Sequence, residues 1–263
     1  ERVFRKEEID VVALGRSRVD AESCSVAEIQ ASIAGCDWVV NCIGIIKPYI
    51  DYRDSSSVQR AIRVNALFPH RLAEAAKNVG ARVIQIATDC VFDGQIGHYT
   101  ETSEHNATDV YGKTKSLGEV VAENFINLRC SIIGLELKNK TSLLEWFLNQ
   151  PKGATINGFK NHLWNGVTTT AFARICVGII RNNLQIDHMQ HIIPANIVNK
   201  LDLLNIFKEI FNRNDVIVRD VYTDVGIDRV LSTNDCGINR SIWNAAKYGQ
   251  IPTVEEMCCE TAK

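Results

Sequence analysis

Residues 82–94 read RVIQIATDCVFDG, and this stretch decides the fold. Its first half, up to Ala87, is a short and mostly apolar run, which is typical of a strand buried in a sheet. Thr88 and Asp89 follow at once, so polar side chains stand where the strand ends. Ligands of parallel sheets bind beyond the carboxyl ends of the strands. The stretch therefore predicts a ligand-facing edge at these two residues.

The same alternation extends to both sides of this strand. Further strands are predicted at 11–14, 37–44 and 127–133, and helices at 25–33, 57–79 and 111–125. Near-continuous apolar strands separated by helices indicate an α/β fold with a doubly wound parallel sheet. Beyond about residue 135, helical patterns at 141–150, 169–182 and 201–212 are joined by polar loops, which predicts a smaller C-terminal region.

Composition narrows the class of protein. The chain has 263 residues, 46% hydrophobic and 23% charged, and its net charge of -2 gives no electrostatic reason to expect a nucleic acid or a membrane as partner. No apolar run approaches the roughly 20 residues that span a bilayer. The nine cysteines include no Cys-x-x-Cys pair, so we expect reduced thiols, a cytoplasmic protein and no metal site.

Tyr111-Gly112-Lys113-Thr114-Lys115 places a phenol and an ammonium one helical turn apart. A nearby ammonium favours the phenolate and lowers the pKa of a phenol from its ordinary value near 10. Thr88, 23 positions earlier, could hydrogen-bond a substrate carbonyl. These residues predict an acid-base site for a substrate that carries a carbonyl group. The alternatives are a solvated helix face and a hydroxyl that only ends a strand.

A second group of residues follows the strand at 37–44. Cys42, Ile43 and Gly44 leave room for a flat cofactor to approach the backbone. Asn65 lies within an apolar helical pattern and must satisfy its amide. It could brace the sheet near the site or make a plain contact between helices.

These motifs resemble a known family. Thr88-Asp89-x-Val91-Phe92-Asp93-Gly94, followed by Tyr111-Gly112-x-x-Lys115 and Gly118-Glu119, is similar to the extended short-chain dehydrogenase/reductases. Within them the chain most resembles the dTDP-4-dehydrorhamnose reductase group, closely over 9–134 and more weakly beyond. The resemblance implies a Rossmann-like NAD(P)-binding core over 1–134. It also implies that 135–263 is mainly a substrate-binding region, with some elements returning to the core.

The resemblance further implies a reaction and a set of roles. The reaction is the NADPH-dependent reduction of a keto group on a nucleotide-linked sugar. Thr88, Tyr111 and Lys115 would form the catalytic triad, and the last two would also hold the cofactor. The implied cofactor contacts are Arg16, Arg18, Asp20, Cys42, Ile43, Gly44 and Asn65. The implied substrate contacts are Thr88, Asp89, Val167, Thr168 and Arg229.

The chain departs from the family's pattern at its start. Family members begin with a strand and a Gly-x-x-Gly-x-x-Gly turn that holds the pyrophosphate. This chain has no such turn, and its run at 11–14 matches the family's second strand. We expect either a fragment or a natural variant with impaired dinucleotide binding. Ala87 and Cys90 also differ from the Ser and Tyr that the family often has there.

The cofactor and the activity each leave alternatives. Arg16, Ser17 and Arg18 suit a 2′-phosphate, which favours NADP(H) over NAD(H), although they could form a plain basic turn. A nucleotide-sugar epimerase or dehydratase of the same superfamily is one alternative. A non-catalytic regulatory subunit, as in methionine adenosyltransferase, is another. The long helices also leave a homodimer open.

Overall fold

The computed structural model describes residues 1–136 and 140–262. The helices are α1 (Arg2–Lys6), α2 (Val26–Ser32), α3 (Ser55–Ala61), α4 (Phe68–Val79), α5 (Val110–Leu117), α6 (Leu143–Leu148), α7 (Thr169–Asn182), α8 (Lys200–Ile210), α9 (Cys236–Ala245) and α10 (Val254–Thr261). The strands are β1 (Trp38–Asn41), β2 (Arg82–Thr88), β3 (Phe125–Cys130), β4 (Ile132–Ile133), β5 (Thr155–Phe159), β6 (His162–Trp164), β7 (Val167–Thr168), β8 (Met189–His191), β9 (Val198–Asn199), β10 (Ile217–Val221) and β11 (Ile227–Asp228). Over these residues, none of the helices combines the length and the apolar character needed to cross a membrane.

The first of two compact units contains the predicted parallel sheet. It comprises Glu1–Phe92, Ser103–Arg129 and Asn183–His191. Four strands lie in the order β1-β2-β3-β8. β1 pairs with β2 in parallel and β3 pairs with β8 in parallel. The α/β class with a parallel sheet is therefore confirmed, and its last strand comes from the C-terminal half of the chain.

Local sequence signals explain the helices beside this sheet. Ser25 caps α2, and its side chain and that of Glu28 form the reciprocal hydrogen bonds of a capping box. In α4, Leu72 and Ala76 are buried with Val83 of β2 in one apolar cluster. Burying a leucine side chain contributes about 1.5–3 kcal/mol. The helix ends at Gly80, whose φ of 76° is the left-handed conformation that glycine adopts readily.

The predicted strand at 11–14 is wrong. These residues are neither helix nor strand, and Val12 is 67% exposed. A strand needs a neighbour to satisfy its backbone hydrogen bonds. Among the residues that the structure describes, 11–14 belong to none of the sheets, so the run gains no strand pairing.

The predicted helix at 111–125 is half as long as expected. α5 ends at Leu117, and residues 118–124 lead into β3. The reason is a close backbone contact at Gly118, where an added Cβ would lie 2.0 Å from the carbonyl oxygen of Asn65. The predicted helix at 57–79 is formed by α3 and α4, but a π-helical turn over Ile62–Leu67 joins them.

The second unit comprises Asp93–Thr102, Cys130–Asn182 and the segment from Ile192 onward. Its strands form three small sheets, β10-β5, β11-β6-β9 and β4-β7. The predicted helix at 169–182 is confirmed as α7. Gly178 lets α7 approach α9, because a Cβ there would lie 2.5 Å from the backbone of Ala245.

Candidate active site

The carboxyl end of β2 carries the two polar residues that open the candidate site. Thr88 and Asp89 are buried, 8% and 6% exposed. The Thr88 hydroxyl accepts a hydrogen bond from the backbone N–H of Cys90 (3.2 Å) and donates to the Asp89 carboxylate (3.3 Å). It thereby caps the short 3-10 turn Asp89–Val91. The threonine hydroxyl is held in place by its own turn.

Helix α5 is fixed against that turn at its first residues. Asp109 caps the helix by accepting from the N–H of Gly112 (2.8 Å), and its carboxylate pairs with the Lys47 ammonium (2.7 Å). Gly112 has no side chain to keep the helix away, since a Cβ there would lie 2.4 Å from the carbonyl oxygen of Cys90. This close approach brings Tyr111 next to Thr88.

Thr88, Tyr111 and Lys115 all lie in the first unit. The Thr88 side chain lies close enough to the Tyr111 phenol to lower its pKa. Lys115, one turn along α5, is 6% exposed, and its ammonium donates to the carbonyl oxygen of Ile86 in β2 (3.0 Å). The three residues predicted from the sequence thus meet at the end of β2.

The pKa of the Tyr111 phenol is raised above its ordinary value of 10, chiefly by burial. The neighbouring Cys90, Asp89 and Asp109 raise it further, while the Thr88 side chain lowers it. The prediction that this pKa is lowered is therefore wrong in its net direction. The spacing of Tyr111 and Lys115 reveals a nearby ammonium, which lowers the pKa of a phenol. It contains no information about burial, which raises that pKa.

The loop after β1 presents its backbone beside Asn65. Cys42, Ile43 and Gly44 are exposed, while Asn65 is buried at 1% exposure. The Asn65 amide accepts from the N–H of Ile45 (2.7 Å) and donates to the Ile45 carbonyl (2.9 Å). Its amide nitrogen also lies 3.2 Å from the Thr114 hydroxyl on α5. Asn65 therefore ties the loop to the helix that carries Tyr111.

A buried ladder of amides crosses the sheet beneath the site. Asn41 donates to Gln85 (2.8 Å), and Gln85 donates to Asn127 (3.1 Å) and to the carbonyl of Gly118 (2.7 Å). Asn127 donates in turn to the carbonyl of Val120 (2.8 Å). Apolar periodicity does not predict this ladder, although Gln85 in the middle of the apolar run at 82–87 is a visible signal for it.

Arg16 and Asp20 lie in a charged cluster near the start of the chain. Arg16 pairs with Asp20 (3.2 Å) and Glu22 (3.4 Å). Glu22 also pairs with Arg60 (3.3 Å) and Arg63 (2.9 Å). A backbone hydrogen bond from Glu22 is the main cause that lowers the pKa of Asp20. With exposed Arg18 beside it, this cluster has more positive than negative side chains.

The three remaining predicted contacts belong to the second unit. Val167 and Thr168 are 0% and 2% exposed, and the Thr168 hydroxyl accepts from the N–H of Ala171 at the start of α7 (3.2 Å). Arg229 donates to the carbonyl of Asp93 (3.2 Å). Val167 is packed in the interior, Thr168 caps the start of α7, and Arg229 braces the loop at Asp93.

The residues present fit part of a dinucleotide. The exposed backbone at 42–44 can lie against a flat ring, and the Lys115 ammonium can bind a ribose hydroxyl. The arginines beside Glu22 can pair with a phosphate. The sequence contains no Gly-x-x-Gly-x-x-Gly turn for the pyrophosphate.

Comparison with solved structures agrees with this fold. A dTDP-4-dehydrorhamnose reductase from Clostridium acetobutylicum superposes with a TM-score of 0.77 at 21% identity, covering 99% of this chain and 93% of the other. The Bacillus anthracis reductase solved with NADP gives the same TM-score and coverage at 17% identity. At these identities the likeness shows the fold.

Sequence relatives point to one family. The dTDP-4-dehydrorhamnose reductase of Mycobacterium tuberculosis is 37% identical over 116 residues, which is 42% of this chain and 36% of the reductase. Methionine adenosyltransferase 2 subunit beta of Xenopus tropicalis is 36% identical over 81 residues, 31% of this chain and 23% of that subunit. The matched segments thus span 36% of the reductase and 23% of the subunit, far less than the whole of either relative.

The family model described as RmlD substrate binding domain matches residues 1–136, just over half of the chain. That segment includes β1, β2, α5 and β3, and with them Thr88, Tyr111 and Lys115. The predicted relationship to the dTDP-4-dehydrorhamnose reductase group is confirmed, and this chain belongs to the RmlD substrate binding domain family.

Proposed function

We propose that this chain carries the active-site portion of an NADPH-dependent reductase acting on a keto group of a nucleotide-linked sugar. The observation that carries the proposal is that buried Thr88 and buried Lys115 both lie at the end of β2, where the Thr88 side chain acts on the Tyr111 phenol. The relatives named dTDP-4-dehydrorhamnose reductase support the substrate class.

Tyr111 is the proton donor in this proposal. The chemistry supplied by bound NADPH is a hydride for the carbonyl carbon. Thr88 donates a hydrogen bond to the carbonyl oxygen, and Tyr111 then gives that oxygen its proton, so the ketone becomes an alcohol. The raised pKa of Tyr111 suits this direction, because the phenol stays protonated until a more basic alkoxide forms beside it.

Lys115 and Asn65 position the reacting groups. The Lys115 ammonium would bind a ribose hydroxyl of the cofactor, while its bond to the Ile86 carbonyl keeps it beside β2. Asn65 holds the loop at 42–44, against which the nicotinamide end would lie. The preference for NADPH over NADH rests on Arg18 and on the arginines clustered around Glu22.

A regulatory subunit without turnover is the second candidate. It is favoured by the 36% identity to methionine adenosyltransferase 2 subunit beta over 81 residues. Such a protein would keep the fold and a nucleotide site. The two candidates differ in turnover and not in binding.

The experiment that separates them is a hydride-transfer assay on purified protein. NADPH and a 4-keto-6-deoxy nucleotide sugar are mixed with the chain, and the loss of nicotinamide absorbance is followed. We expect turnover that Tyr111→Phe lowers by about 10²–10⁴-fold through loss of the proton donor. Tyr52→Phe is the matched control, because that phenol is 53% exposed.

Two outcomes contradict the proposed reductase. Turnover that survives in Tyr111→Phe would show that the mechanism is assigned to the wrong residue. NADPH binding without turnover, followed by fluorescence, would favour the regulatory candidate.

A further inference from the structure

A cluster of buried ionisable groups lies behind the helix that carries Tyr111 and Lys115. It consists of Arg129 on β3, Glu119 after α5, His191 on β8 and His105 in the loop before α5, and is called the Arg129 cluster below. Arg129 and His191 are 1% and 0% exposed, and the Glu119 side chain is 7% exposed. The His105 side chain is 26% exposed. All four residues belong to the first unit.

Arg129 joins the other three members. Its guanidinium makes a bidentate pair with the Glu119 carboxylate (3.0 and 2.5 Å). Its two terminal nitrogens also lie within hydrogen-bond distance of His191 Nε2 (2.6 Å) and His105 Nε2 (2.8 Å). The ring of Phe92 covers the guanidinium at 5.2 Å and lies edge-on to both imidazoles.

These contacts fix the protons on the two imidazoles. A guanidinium has donors and no acceptor, so each Nε2 that it contacts must be an unprotonated acceptor. His105 and His191 are therefore both neutral, with the proton on Nδ1. His105 Nδ1 lies 2.7 Å from the Ser116 hydroxyl, so its N–H donates to that oxygen.

Ser116 connects the cluster to the candidate site. It lies on α5 directly after Lys115. The loop that carries His105 is also bonded to the turn beside Thr88, because the N–H of Ala107 donates to the carbonyl of Val91 (3.0 Å). His105 thus contacts α5 through Ser116, and the loop that carries it contacts the turn that follows Thr88.

We propose that Arg129, His105 and Ser116 form a proton-sensitive positioning relay for α5. Neutral His105, bonded at both imidazole nitrogens, holds Ser116 and with it the neighbouring Lys115. Protonation at Nε2 breaks the contact with Arg129, so the imidazole shifts and moves Ser116 with it. The catalytic consequence rests on the proposed function. The relay itself rests on the donor-only character of Arg129 and on the contacts at both imidazole nitrogens. None of the three is a catalytic residue.

The charges around His105 oppose its protonation. Burial, and after it the Arg129 guanidinium, lower the pKa of His105, while the Glu119 carboxylate at 3.5 Å raises it. The groups facing this imidazole are Arg129, Glu119, Ser116 and the Phe92 ring, with His191 on the far side of Arg129. Protonation at Nε2 would remove the acceptor for Arg129 and place two cations side by side.

Nuclear magnetic resonance of histidine nitrogens tests the relay without any turnover. In the full chain we expect His105 to be neutral and protonated on Nδ1 near neutral pH, and to titrate below its ordinary value of about 6.5. The chemical shift of the Lys115 backbone amide should change over the same pH range as that of His105. In Ser116→Ala, His105 should still be protonated as the pH falls. The chemical shift of the Lys115 amide should then no longer change with the protonation of His105.

Kinetics then tests the link to catalysis. The wild-type hydride-transfer rate should fall as His105 is protonated. His105→Leu should lower kcat about fivefold, which corresponds to the loss of one hydrogen bond. Its rate should also no longer show the fall at acidic pH that wild type shows. His188→Leu, at an exposed histidine of the same unit, is the control. It should keep both the wild-type rate and the fall in rate at acidic pH.

The outcomes separate the relay from the proposed function. Protonation of His105 on Nε2 at neutral pH, or a Lys115 amide that follows His105 equally in Ser116→Ala, would overturn the relay. An unchanged pH profile in His105→Leu would also overturn it. Absence of turnover in the wild type counts against the reductase, while the resonance measurements still decide the relay.

Discussion

At the scale of single residues, the central tension is between the burial of Tyr111 and its proposed task. Burial keeps the proton on the phenol, and the nearby Thr88 side chain offsets part of that effect. The neutral phenol is the form that can donate to a developing alkoxide. A reductase therefore gains from an enclosed tyrosine, whereas an enzyme that must remove a proton with a phenolate would not.

The raised pKa of Tyr111 has a measurable effect on stability. Above about pH 10 the unfolded chain loses this proton before the folded chain does, so ionisation stabilises the unfolded state and stability falls as pH rises. Tyr111→Phe removes that loss. We expect its free energy of unfolding, relative to wild type, to improve by up to about 1 kcal/mol per pH unit above pH 10.

Urea unfolding between about pH 8 and pH 11 measures this difference. Tyr52→Phe, at an exposed phenol, is the control. Its free energy of unfolding should change with pH in the same way as that of wild type. If Tyr111→Phe also runs parallel to wild type, Tyr111 titrates alike in the folded and unfolded chains.

At the scale of elements, α5 is held at both ends by backbone contacts that only glycine allows. Gly112 meets the carbonyl of Cys90, and Gly118 meets the carbonyl of Asn65. Helix α5, which contains Gly112 and ends just before Gly118, is eight residues long and too short to be stable in isolation. Its place beside β2 comes from these contacts and from the Asp109 cap.

Gly112→Ala should separate α5 from the turn at Cys90. The added Cβ would lie 2.4 Å from both the Cys90 carbonyl and the Ala107 Cβ, so the backbone has to shift. We expect the free energy of unfolding to fall by about 1–3 kcal/mol, which is the usual destabilisation when extra atoms are forced into a packed interior. Gly249→Ala is the control, because a Cβ there meets nothing within 4 Å. Equal stability of the two variants would show that α5 adjusts without strain.

The same element shows what the sequence could and could not predict. Apolar periodicity identified β2, α2 and α4, and the spacing of Thr88, Tyr111 and Lys115 identified the candidate site. The pattern at 118–125 continued to indicate a helix, because periodicity contains no information about the Asn65 carbonyl that meets Gly118. The run at 11–14 failed as a strand for a similar reason, since pairing depends on a neighbour.

At the scale of the whole molecule, charge is nearly balanced, so any attraction for a phosphate has to be local. The net charge is -2 over 263 residues. Arg16, Arg60 and Arg63 nevertheless gather around Glu22, and exposed Arg18 lies next to them in the chain. A dinucleotide with a 2′-phosphate would gain from that cluster, and one without it would not.

Arg18→Ser should therefore reduce the preference for NADPH over NADH. Loss of one charge-assisted hydrogen bond, about 1.5–3 kcal/mol, should lower the ratio of the two affinities by about 10–100-fold, mostly through weaker NADPH binding. Arg53→Ser, at another exposed arginine, should leave the ratio unchanged. Nicotinamide fluorescence titrations at low and high salt measure the affinities for NADPH and NADH. Added salt should reduce the difference between the two affinities in wild type, because salt screens exposed charges. A ratio that neither Arg18→Ser nor salt alters would place the basis of any cofactor preference away from this cluster.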